Sequence, residues 1–170
     1  MDRTFWGLGL AAALGSALLL GGAFFLQAIG YAPCAMCLWQ RYPHAVAIVI
    51  GLLLFFVRRG RPLLALGGVA AATTAALGFY HTGVERGWWE GPTTCTGDGG
   101  SLTGMTGADL LSFGDAAPLV MCDEVVWEFL GLSMASWNGI LSIALAGIWF
   151  LALARSLWSL PQRRQAAAVR

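Results

Sequence analysis

Four cysteines carry the chemistry open to this chain: Cys34 and Cys37, spaced CxxC, and Cys95 and Cys122, with 26 residues between them. A CxxC pair closes a small, strained ring. Its spacing lowers a thiolate pKa and makes the bond reducible, so such pairs are redox-active more often than structural. A c-type haem site needs His directly after the second Cys, and Leu38 stands there. A four-Cys zinc site usually has two close pairs, which Cys95 and Cys122 do not supply. Two purely structural disulfides are the remaining alternative. Cys37 is expected at the N-terminus of a helix, where the dipole favours an anion. Arg41 follows four residues later, so the two can share a helix face. A thiolate beside an arginine is a place where a neutral electron acceptor is attacked; simple interfacial snorkelling is the other use for Arg41.

The elements that must position these residues are apolar. Of 170 residues 58% are hydrophobic and 11% charged, with a mean hydropathy of +0.69, whereas soluble domains carry about 25% charged residues. Disorder is excluded by the apolar content. Nucleic-acid binding is excluded by a net charge of +1 and ten arginines that form no single patch. A helix crosses a roughly 30 Å hydrocarbon core with about 20 residues. The uncharged stretches predict four such helices, over 6–29, 38–57, 62–82 and 133–155, joined by loops 30–37 and 83–132 and followed by a tail over 156–170. The fold class is therefore an all-α membrane protein, a four-helix transmembrane bundle in one domain. Arg41 and Arg58 bracket only 16 residues, too few to span. The second helix must start near Cys37 or Leu38, which puts Arg41 at the membrane boundary and Pro43 early in the helix.

Eight of the ten arginines lie at the termini and in the 58–61 loop, and eight of the nine acids on the opposite side. The positive-inside rule then places both termini in the cytoplasm and both cysteine loops outside. The first stretch is too long for a signal-peptide core and lacks a clear cleavage site, so it is expected to remain as a helix. In a bacterium the outer side is the oxidising periplasm, and an even cysteine count there argues for two disulfides. Thr106 to Asp109 resembles a capping box ahead of Leu110, Leu111 and Phe113, predicting a short amphipathic helix on the membrane face. Trp88, Trp89, Trp127 and Trp137 read as interface anchors, and His44 as a packing or interfacial residue.

Pro33-Cys34-Ala-Met-Cys37-Leu-Trp-Gln-Arg41, with a second Cys pair in a long second loop, resembles the disulfide bond formation protein B (DsbB) family of bacterial inner membranes. Phe79-Tyr80-His81-Thr-Gly-Val-Glu85, Trp88-Trp89, Pro92-Thr-Thr-Cys95, Cys122-Asp-Glu and Ser136-Trp137-Asn138 extend the match over the whole chain. The resemblance implies an oxidoreductase that reoxidises a periplasmic thioredoxin-fold thiol oxidase (DsbA-like) and passes electrons to membrane quinone, ubiquinone or menaquinone. It implies redox-active pairs Cys34–Cys37 and Cys95–Cys122, with partner attack at Cys95, transfer from Cys122 to Cys34, and Cys37 freed as the thiolate facing quinone. Arg41 matches the arginine beside the quinone head group, and Gln40 stands where some members have Glu. His81 and Glu85, one turn apart, are candidates to hydrogen-bond a quinone carbonyl or supply a proton; an interfacial His beside an exposed Glu is the alternative. No metal is implied. A vitamin K epoxide reductase-like enzyme is disfavoured because the CxxC comes first here. A transmembrane electron carrier would need cysteines within reach of the inner face, which this chain lacks. A non-enzymatic disulfide-stapled scaffold would tolerate serine at all four cysteines.

Overall fold

The computed structural model describes residues 3–56, 60–92, 95 and 120–168. Among them, four helices are long and apolar enough to cross a membrane: α1 (Arg3–Ala28), α2 (Ala35–Phe56), α3 (Arg61–Glu85) and α4 (Met134–Ala168). Between α3 and α4 a hairpin pairs β1 (Glu128–Phe129) with β2 (Leu132–Ser133), Glu128 opposite Ser133. The helix expected around Thr106–Asp109 lies outside the described residues.

Each boundary has a local cause. α2 begins at Ala35, three residues before the expected Leu38, because Cys34 acts as its N-cap: the Cys37 N–H donates to Cys34 Sγ at 3.2 Å. Span arithmetic sees no caps. The helix then runs through Pro43 without interruption, a tolerance found in transmembrane helices, where neighbouring groups satisfy the freed carbonyl. α3 opens after Gly60 with Pro in its first turn, where the missing N–H has no partner to lose. It closes one turn later than 82, on Gly87 (φ +66°), whose N–H donates to Val84 O at 3.0 Å. The extra turn keeps Glu85 on the helix. α4 continues past 155 as helix to Ala168. The hairpin turn uses positive φ at both Leu130 (53°) and Gly131 (76°), the backbone that matches strand twist in a two-residue loop; Leu130 carries no turn signal, so the sequence hid it.

The helices pack through small residues. One core joins Ala12, Ala13, Ile50, Leu54, Leu64, Ala71, Ala146, Trp149 and Ala152, and a Cβ on Gly67 would meet the Trp149 ring at 2.7 Å. α3 and α4 approach most closely at Gly78, where a Cβ would stand 2.8 Å from Gly139 Cα and 3.0 Å from Ala135 O. Large apolar side chains such as Leu14, Phe25 and Phe56 point outward instead. Association in lipid depends on such backbone proximity, since the surroundings are as apolar as the core. Gly78→Ala must push backbone against backbone, and is expected to lower stability by about 1–3 kcal/mol. Gly21→Ala, which meets nothing within 4 Å, should be neutral; thermal unfolding of both variants in detergent checks the difference.

Candidate active site

One end of the bundle gathers all four cysteines. Cys34, Met36, Val84, Cys95 and Cys122 form one buried cluster, with Ala35 and Cys37 packed on it. Cys95 and Cys122 are bonded, with Cα atoms 5.3 Å apart. Their backbone is pinned by Cys95 N–H to Pro92 O (2.7 Å) and Cys122 N–H to Cys95 O (2.8 Å). Cys34 and Cys37 are free thiols with sulfurs 3.1 Å apart. Two pairs that lie far apart in the chain therefore share one water-poor compartment.

Within it, Cys34 takes the helix-terminal position that the sequence suggests for Cys37. Its sulfur accepts the Cys37 N–H and lies 3.5 Å from His81 Nε2. The hydrogen bond from the Cys37 side chain lowers the Cys34 thiol most, burial opposes it, and the His81 hydrogen bond lowers it again, to about 4. Cys37 sits in the first turn of α2 instead, and is half-buried.

Polar side chains from three helices extend inward from Cys34. His81 Nδ1 lies 3.0 Å from Gln40 Nε2, and Gln40 Nε2 also donates to Met36 O at 3.2 Å. Gln40 Oε1 accepts from Asn138 Nδ2 at 2.7 Å. Asn138 Oδ1 lies 2.9 Å from His44 Nε2, and Thr74 Oγ1 donates to Gln40 O at 3.2 Å while receiving Asn138 Nδ2 at 3.3 Å. Glu85 Oε1 is 3.9 Å from His81 Nε2, and Ser133 Oγ donates to Glu85 Oε2. The Glu85 side chain is only 6% exposed, so it is not the exposed interfacial acid of the alternative reading.

Beside the free cysteines opens a cavity of about 230 Å³. Leu18, Ala23 and Leu26 of α1 form its apolar wall; Cys37, Arg41, His44, His81 and Glu85 give its polar rim. Arg41 is held against α1, donating from Nη1 to Gln27 Oε1 at 2.6 Å with its guanidinium 4.7 Å over the Phe24 ring. Among the described residues, Arg41 Nε and His44 Nδ1 are buried polar atoms without a partner. A flat, apolar molecule with carbonyl oxygens fits such a cavity by chemistry: apolar walls, and an unpaired donor at one edge. The donor atoms of Cys34, Cys37 and His81 also lie within 4.8 Å of one another, a set that suits a soft cation by type alone.

The structure thus brings together Cys34, Cys37, Cys95, Cys122, Arg41, His81 and Glu85. Sequence reasoning gave no role to Gln40, Asn138, Thr74 or Ser133, and read His44 as a packing or interfacial residue. The available signal was Asn138, a polar residue early in an otherwise apolar transmembrane run, where such groups are retained for a partner.

A family model described as Disulfide bond formation protein DsbB matches residues 3–152. Disulfide bond formation protein B 2 of Pseudomonas aeruginosa is 31% identical over 169 residues, covering 92% of this chain and 90% of the relative. Disulfide bond formation protein B of Verminephrobacter eiseniae is 34% identical over 159 residues, 88% of this chain and 86% of the relative. The protein of that name from Aromatoleum aromaticum is 34% identical over 131 residues, covering 71% and 75%. No solved structure matches the chain.

A thiol held at about 4 stays thiolate through the mildly acidic range. In a single-thiol chain (Cys37→Ser, Cys95→Ala, Cys122→Ala), the introduced serine hydroxyl keeps a donor beside the remaining sulfur. Alkylation of Cys34 should then fall little between about pH 8 and pH 6, where an ordinary thiol loses about tenfold per pH unit. A tenfold fall per unit across that range would remove the thiolate from the site.

Proposed function

The chain belongs to the disulfide bond formation protein B family, a membrane oxidoreductase of disulfide formation, and on that premise we propose that it reoxidises a periplasmic DsbA-like thiol oxidase and delivers the electrons to membrane quinone. The observation that carries this reading is the shared cluster: Cys122 is packed with Cys34, so electrons can pass by thiol exchange without leaving a buried site.

A thiolate of the reduced partner attacks Cys95, forming a mixed disulfide and releasing Cys122 as thiolate. Cys122 attacks Cys34 of the oxidised Cys34–Cys37 pair and releases the Cys37 thiolate. The partner's second thiolate attacks its own sulfur in the mixed disulfide, so the oxidised partner departs and Cys95 is freed. Cys95 then attacks Cys122, restoring that disulfide and expelling Cys34. Two electrons now rest on Cys34 and Cys37, as thiols. Cys34 is a good leaving group in the last step because its thiolate already has donors in place. Cys95 is buried here at 3% exposure, so partner attack requires its sulfur to become accessible.

A quinone, ubiquinone or menaquinone, bound beside Cys37 would supply a two-electron acceptor. The chain's part is the cavity itself: apolar walls exclude water, Arg41 offers a fixed positive charge for oxygen, and His81 with Glu85 edges the same space. The arginine distribution supports an inner-membrane orientation with both termini cytoplasmic and the cysteines periplasmic. A scaffold held by two disulfides is the weaker reading, since it gives no reason for a buried polar network beside the cysteines.

Cys122→Ala removes the resolving thiol, so a covalent complex with the partner through Cys95 should accumulate on non-reducing gels, and Cys95→Ala should abolish it. A complex trapped through Cys34 would overturn the order of transfer. For the acceptor, Arg41→Lys keeps the charge but loses the planar fork, and should raise the apparent Michaelis constant for quinone moderately. Arg41→Gln should cost about 1.5–3 kcal/mol in kcat/KM, the range of a hydrogen bond to a charged group. Partner oxidation rate measured against quinone concentration reads both, and unchanged constants in Arg41→Gln would reduce Arg41 to a helix anchor.

A further inference from the structure

The hydrogen bonds inward of Cys34 have a direction, and one atom sets it. Met36 O can only accept, so the Gln40 atom 3.2 Å away must be its nitrogen. The second hydrogen of that nitrogen meets His81 Nδ1 at 3.0 Å, and that ring atom is thereby an acceptor. Gln40 Oε1 in turn requires a donor, which fixes Asn138 Nδ2 at 2.7 Å. Thr74 supports the same sense: its hydroxyl donates to the Gln40 carbonyl and keeps its lone pair for Asn138. Asn138 Oδ1 is left to accept from His44 Nε2 at 2.9 Å. Flipping either amide would set like against like at a buried position and orphan the groups on both sides.

We propose that Gln40, oriented by the Met36 carbonyl and Asn138, is a positioning residue that holds His81 as the neutral Nε2–H tautomer, so that the ring serves Cys34 as a fixed hydrogen-bond donor and not as a base. With Nδ1 occupied by the Gln40 N–H, the one ring proton resides on Nε2, which faces Cys34 Sγ at 3.5 Å. The groups around that ring are consistent with a donor: Cys34 at the N-cap of α2, Cys37 beside it, the Glu85 carboxylate 3.9 Å away and the main chain of Cys122. The same polarity argues against the cation site. A metal-binding His presents a bare nitrogen to the ion and donates its other N–H to an acceptor; here Gln40 offers that second nitrogen a donor, the wrong sign.

The proposal rests on reading Cys34 as a redox thiol, but its test reads the ring and the sulfur rather than turnover, so either can fail alone. The chain has two histidines, so nitrogen-15 NMR of the histidine-labelled, reduced full-length protein in detergent at neutral pH resolves two rings. His44→Gln, which retains an N–H for Asn138, assigns them. The expected spectrum has His81 with a protonated Nε2 and a bare Nδ1. A protonated Nδ1 in the natural chain overturns the proposal without any variant having to fold. Gln40→Glu replaces the donor at Nδ1 by an acceptor and should protonate Nδ1; a still-bare Nδ1 there also overturns it. In the single-thiol chain, Gln40→Leu should slow Cys34 alkylation about tenfold on the acid side of its titration, which moves the profile by about one pH unit. A superimposable pH profile would leave Gln40 a packing residue only.

Discussion

The Met36 carbonyl decides how α2, α3 and α4 face one another. It lies in the first turn of α2, and through Gln40 it dictates which atoms of His81 and Asn138 can be met. In an apolar bundle this is a strong constraint. A buried polar group left unpaired costs about 1–3 kcal/mol, and a half-satisfied network is worse than an apolar core. Rotating any one of the three helices breaks bonds to both of the others. The row of polar side chains therefore adds a directional constraint on helix rotation that apolar packing does not supply.

Backbone proximity makes the row reachable. Gly78 sits one turn from both Thr74 and His81, and Gly139 directly follows Asn138; their contact brings α3 and α4 together where the network crosses. Larger residues there would hold Asn138 away from Gln40 and Thr74. Small residues at one helix interface thus serve the chemistry at the cysteine end through geometry. They touch none of the reacting atoms.

Charge in the site is met from several sides. The Cys34 sulfur is approached by a main-chain N–H, the neighbouring Cys37 sulfur and the His81 ring, an arrangement that stabilises an anion. Arg41 is braced against α1 through Gln27 and Phe24, and its positive charge is directed at the cavity wall. These two sources of positive potential are thus separate: one surrounds the Cys34 sulfur, the other edges the cavity.

Much of this protein was legible in its sequence. Four uncharged stretches between arginines dictate four crossings, because hydrocarbon thickness and helix rise leave no other solution, and the CxxC with Arg41 four residues on marks the redox end. Local rules did not give the start of α2, since a cysteine serving as N-cap has no place in the usual capping signals, nor the hairpin turn on Leu130. Tertiary structure alone decided that Cys95 and Cys122 lie buried against Cys34, that Glu85 is enclosed, and that Gln40, Asn138 and His44 form one directed row. Spacing along a chain says which residues share a helix face. It does not say which faces of different helices meet, and hydrogen-bond polarity between helices exists only once they do.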